Sequence, residues 1–83
     1  MDKILVEVRV PAADMSLDAY FPLGSKLWEV LSLLVSAVNE LSAGKYRAGP
    51  DAVLCDAGSG IIYNINLEVA ELGLQNGSKL LLI

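Results

Sequence analysis

The chain has 83 residues, 54% of them hydrophobic, and a formal net charge of −4. That is one small domain over residues 1–83, too apolar for disorder, with no run near the ~20 apolar residues of a membrane span. The six bases are scattered, and one Cys with no His excludes an internal disulfide, a zinc site and the basic face that nucleic acid requires.

Residues 3–10, KILVEVRV, alternate, with Ile4, Val6, Val8 and Val10 on one side and Leu5, Glu7 and Arg9 on the other. This is the pattern of a half-buried strand. Turn chemistry at Pro11–Asp14 leads to a second alternation, Leu17, Ala19 and Phe21 against Ser16, Asp18 and Tyr20, which completes an antiparallel hairpin. Pro22-Leu23-Gly24-Ser25 closes it, with Ser25 as the expected helix N-cap. From Lys26 to about Ser42 the period becomes helical: Leu27, Val30, Leu31, Leu34, Val38 and Leu41 share a face, and Gly44 is placed for a left-handed C-cap.

The apolar arc of that helix is wider than one sheet needs. Trp28 and Val35 extend one flank, Leu33 and Ala37 the other. Trp28, Leu33 and Val35 are therefore candidates either for cover by the loop after Gly44 or for self-association as a homodimer. Beyond a polar loop at 45–51, Ala52–Asp56 reads as a short strand, Gly58-Ser59-Gly60 as a turn and Ile61–Tyr63 as another strand. Asn66 is expected to cap a helical turn over Leu67–Glu71, stopped by Gly73, and Asn76-Gly77 turns into a last strand at Lys79–Ile83. The predicted core is Ile4, Val6, Val8, Leu17, Phe21, Leu27, Val30, Leu31, Leu34, Val38, Leu80 and Leu82.

Catalytic chemistry is thin. With no His, the commonest general base is missing. Cys55, between apolar residues and without a basic neighbour in sequence, reads as a small core thiol. The carboxylates Asp51 and Asp56, and Glu68 and Glu71, lack the further ligands of a calcium loop and read as solvated charge. No catalytic residue, metal ligand or cofactor is expected.

The element order, ββαββ(helical turn)β, resembles the ubiquitin-like β-grasp, an α+β fold with a mixed five-stranded (or four-stranded) sheet on one central helix. The segment Leu72-Gly73-Leu74-Gln75-Asn76-Gly77-Ser78-Lys79-Leu80 is similar to the ending of many ubiquitin-like domains: Leu74 plugs the core, Asn76-Gly77 reverses the chain and Leu80 re-enters. Within that superfamily the chain is most similar to the YukD-like (EsaB-type) proteins of Gram-positive type VII secretion systems. The resemblance implies a cytoplasmic, non-conjugated interaction module, accessory to secretion, whose protein partner is a secretion ATPase or channel component. An alternative is a modifier or sulfur carrier, but the run Leu80-Leu81-Leu82-Ile83 lacks the Gly-Gly tail those chemistries use. Another is the cytosolic ubiquitin-like domain of a larger membrane component. In the β-grasp the strands of Leu54 and Leu81 are adjacent. With Val53 and Cys55 taken as inward, Leu54, Leu81 and Ile83 form an expected exposed partner-binding cluster.

Overall fold

The computed structural model describes residues 2–44 and 52–83. Strand β1 (Lys3–Val10) and strand β2 (Met15–Pro22) form the hairpin, paired from Lys3↔Pro22 to Val10↔Met15. Pro11–Ala13 make one 3₁₀ turn, and Asp14, in the left-handed region at φ 51°, donates its N–H to the Pro11 carbonyl at 3.1 Å. Helix α1 (Leu27–Leu41), strand β3 (Leu54–Asp56), a 3₁₀ turn at Val69–Leu72 and strand β4 (Lys79–Leu82) follow. The sheet has the order β2-β1-β4-β3, with β1 and β4 parallel and the other pairs antiparallel. This is the α+β architecture, in its four-stranded form among the described residues.

The fifth expected strand reduces to a single pair. Asp56 N–H donates to the Ile61 carbonyl at 2.9 Å and Tyr63 N–H to the Leu54 carbonyl at 3.0 Å, flanking the bridge Cys55↔Ile62. The Asn64 side chain then accepts the Asn66 N–H at 2.9 Å and its carbonyl the Leu67 N–H at 3.2 Å. This local turn competes with further pairing and takes the chain off the sheet.

Both expected caps are displaced. Lys26, not Ser25, is the N-cap of α1, and the Glu29 carboxylate accepts the Lys26 N–H at 3.1 Å. The later turn begins after Glu68, whose N–H donates to the Glu71 carboxylate at 2.9 Å, instead of at Asn66. The reason is mutual docking of the two helix starts. Leu27 and Trp28 N–H groups donate to the Leu67 and Ile65 carbonyls at 2.9 and 3.0 Å, while Val69 and Ala70 N–H groups donate to Ser25 and Leu23 at 2.9 and 3.0 Å. The donors that a helix start leaves unsatisfied are met by the other segment's backbone, so no serine cap is needed. At the other end Gly44, at φ 81°, closes the helix with its N–H on the Asn39 carbonyl at 3.0 Å.

Val6, Val8, Val10, Phe21, Leu27, Leu34, Val38, Leu80 and Leu82 are buried between helix and sheet, with Val69 closing one end. Leu17 and Leu31, expected inside, pack on the core from its margin. The reverse error is larger: Leu54, expected outside, is 0% exposed. It lies directly opposite Leu82, and residues opposite one another in a ladder share a face. The inward phase of Leu82 therefore forces Leu54 inward. Removing side chains at Leu80 or Leu54 should cost about 2–5 kcal/mol each as alanine, while Leu81→Ala, on the other face, should cost about 1 kcal/mol or less. Urea denaturation of the three variants checks this; a near-neutral Leu54→Ala places that side chain back at the surface.

Candidate functional site

Cys55 and Asp56 are both engaged structurally. Cys55 is buried, but not in the core expected for it: with Leu54 phased inward by Leu82, Val53 and Cys55, expected inward, take the face away from α1, where Cys55 is flanked by Leu81 on one side and Ile62 on the other. Asp56 is not simply solvated. Its carboxylate accepts the N–H groups of Ser59 at 2.7 Å and Gly58 at 3.1 Å, and the Tyr63 hydroxyl donates to it at 3.4 Å. The Ser59 hydrogen bonds foremost, with those of Gly58 and Tyr63, hold its carboxyl below the ordinary carboxylate value. Burial, and next the negative charge of Asp56, push the Tyr63 phenol upward. Its expected companion Asp51 lies outside the described residues. Among the described residues no three His, Cys, Asp or Glu side chains gather as a metal site.

The expected partner cluster maps to an apolar strip of the sheet. On the sheet face away from α1, Leu81 pairs with Cys55, and Ile83 exchanges two backbone hydrogen bonds with Val53, at 2.8 and 3.0 Å. Ile62 stands beside Cys55, and it and Ile83 are 61% and 56% exposed. Two of the three expected partner residues, Leu81 and Ile83, thus lie on one apolar strip, but Leu54 is on the opposite face. Its place is taken by Val53 and Ile62, with Cys55 as the floor. The sequence offers little to phase β3, because Ala52, Val53, Leu54 and Cys55 are all apolar and alternation is silent there. The one usable signal is bulk, since the larger Leu54 is the better core residue.

The candidate self-association set separates. Trp28 and Leu33 are 52% and 74% exposed, yet five residues along a helix places them about 140° apart. Val35 packs against the core. The loop expected to cover this flank, 45–51, lies outside the described residues.

No sequence family and no characterised protein matches the chain by sequence. Solved structures do match it, at low identity. The ubiquitin-like domain of the Mycobacterium tuberculosis type VII secretion protein EccD1 superposes with a TM-score of 0.76 at 16% identity, over 100% of this chain and 99% of that one. A chain of the toluene 4-monooxygenase HD complex with 4-bromobenzoate gives 0.75 at 12% identity, over 98% and 96%. A chain of the MycP5-free ESX-5 inner membrane complex gives 0.70 at 15%, covering 98% of this chain but 20% of that one. The fold is ubiquitin-like.

The Asp56 turn carries a pH signature. Its lowered carboxyl stabilises the fold above the ordinary carboxylate value of 3.8, and that contribution is lost as pH falls through the lowered value. Asp56→Asn should lower Tm by a few degrees at neutral pH, and the gap to wild type should close in strong acid. Thermal melts across the acid range check this; a gap constant with pH means the charge is not what holds the turn.

Proposed function

We propose that this chain is a non-catalytic ubiquitin-like module that acts by docking on protein partners, as a cytosolic accessory or domain of a type VII secretion apparatus. The observation that carries the reading is the end-to-end superposition on the EccD1 ubiquitin-like domain, with no large insertion needed on either side. The match to one chain of the ESX-5 inner membrane complex adds a context in which such a domain sits in a larger membrane assembly. No helix among the described residues is long and apolar enough to cross a membrane. Helix α1, at 15 residues, spans about 22 Å against a hydrocarbon core of about 30 Å. This chain therefore contributes a docking surface, and its partner is a secretion ATPase or channel component, as in the YukD-like reading.

The docking face is the strip of Leu81, Ile83, Val53 and Ile62. Ile62 and Ile83 are exposed and Leu81 and Val53 half-buried beside them; adjacent accessible apolar side chains with a polar margin form the usual centre of an interface, and here Lys79, Arg9 and Glu7 supply that margin. The toluene 4-monooxygenase match favours a second setting, a component of an oxygenase complex.

Leu81→Ser with Ile83→Ser should keep the chain folded with Tm lowered by several degrees at most, because changes outside the core cost about 1 kcal/mol or less each. The double variant should lose co-purification with the secretion ATPase or channel protein encoded in its own genome. A folded double variant that still captures that partner removes this face from the reading. Capture of an oxygenase component in place of a secretion protein selects the second setting.

A further inference from the structure

Strand β2 is an edge of the sheet. Leu23 N–H donates to the Asp2 carbonyl at 3.0 Å, and antiparallel ladders bond at every second residue. Phe21, Ala19 and Leu17 therefore turn their backbone groups toward β1, while Tyr20, Asp18 and Ser16 turn theirs outward, with no strand among the described residues to receive them. Pro22, the next outward position, has no N–H to offer. The available edge is thus a three-residue template centred on Asp18.

Beside this edge an apolar groove of about 270 Å³ runs between β2 and α1, walled by Leu17, Ala19 and Phe21 on one side and Val30, Leu33 and Ala37 on the other. It is smaller than the ~300–1,000 Å³ of a small-molecule site and suits one or two side chains of an added strand. Charge specifies the rest. β2 and α1 together carry Asp18, Glu29 and Glu40 and no base. Asp18 lies opposite Glu7 in the ladder, an unfavourable like-charge pair, and Glu7 is ion-paired with Arg9 at 3.4 Å. Lys3 is held over the Tyr20 ring, 4.6 Å from its centroid. Asp18 has no ion-pair partner among the described residues.

We propose that β2 accepts an extended segment of another protein as an additional sheet strand, with apolar side chains in the groove alternating with basic side chains beside Asp18. Strand addition of this kind takes its affinity from main-chain hydrogen bonds and its specificity from alternate side chains. The groove receives the residues that point toward α1; the intervening residues fall on the outer face, where a basic side chain can pair with the exposed Asp18. A second copy of this chain is disfavoured as the occupant, because antiparallel β2–β2 pairing centred on Asp18 sets that carboxylate against its own copy. The inference is independent of the Leu81–Ile83 face, which lies over β4 and β3, on the far side of β1 from β2.

The test is a titration of the ¹⁵N-labelled chain with a synthetic peptide of alternating valine and lysine. A valine–glutamate peptide of the same length is the control. The lysine peptide should shift the amides of Ser16, Asp18, Tyr20 and Leu33 and slow hydrogen exchange at the first three. Asp18→Lys should weaken it at least tenfold, and so should Leu33→Ser, whose exposed site leaves folding intact. Equal binding of both peptides, shifts confined to the Leu81–Ile83 strip, or no binding overturns the proposal. Concentration-dependent dimerisation through the β2 amides without peptide overturns it in favour of a second copy.

Discussion

The structure depends on the placement of β4 between β1 and β3. Leu80 and Leu82 are fully buried, and each sets the phase of a neighbour: Leu80 lies beside Val8, Leu82 opposite Leu54. The parallel half of this arrangement cannot be made by a turn and must be positioned from a distance. The Asn76-Gly77 segment does that. The Asn76 side chain accepts the Leu5 N–H at 2.9 Å, Gly77 N–H donates to the Leu5 carbonyl at 2.8 Å, and Glu7 N–H donates to the Ser78 carbonyl at 2.9 Å. Gly77 sits at φ 89°, a conformation glycine adopts without the penalty a side chain brings. A register slip of one residue here would send Leu80 and Leu82 to solvent and Leu81 inside.

How much was legible in the sequence follows from where alternation is informative. β1 and β2 carry polar residues at alternate positions, and their faces and hairpin are read directly. The spacing of Leu27, Val30, Leu34 and Val38 likewise gives α1 to within one residue at each end. β3 has no polar residue before Asp56, so its phase is set by a tertiary partner, Leu82, that no local pattern reveals. That single unread contact moved Leu54 from the candidate site to the core and hid Val53 and Ile62. The caps were misplaced for a related reason. Ser25 and Asn66 have good intrinsic capping chemistry, but the two helix starts satisfy each other's backbone, a long-range exchange that propensity does not encode.

The two surfaces use different physics. The outer strip of Leu81, Ile83 and Ile62 presents side chains on a sheet whose backbone there is already paired, so the docking proposed for it rests on apolar burial and shape. The β2 edge presents unpaired backbone, and natural edges of this kind are usually blunted by charge, proline or covering structure. Here Pro22 blunts one end and Asp18 occupies the centre. A lone carboxylate on an edge discourages pairing with acidic chains, including a copy of a chain whose net charge is −4, while leaving the edge open to a basic one.

These surfaces are also spatially independent. β1 separates β2 from β4, which puts the strands of the two proposed contacts about 10 Å apart at ordinary strand spacing, and the free edge of β2 faces away from β4. A partner on the outer strip approaches along the sheet normal, whereas an added strand extends the sheet in its own plane. The residues between them, Leu5, Glu7 and Arg9, belong to β1 and are held from both sides by backbone pairing. Occupancy of one surface leaves the other's hydrogen-bonding groups and side chains in place. The two proposed contacts are therefore geometrically compatible on a sheet of only four strands.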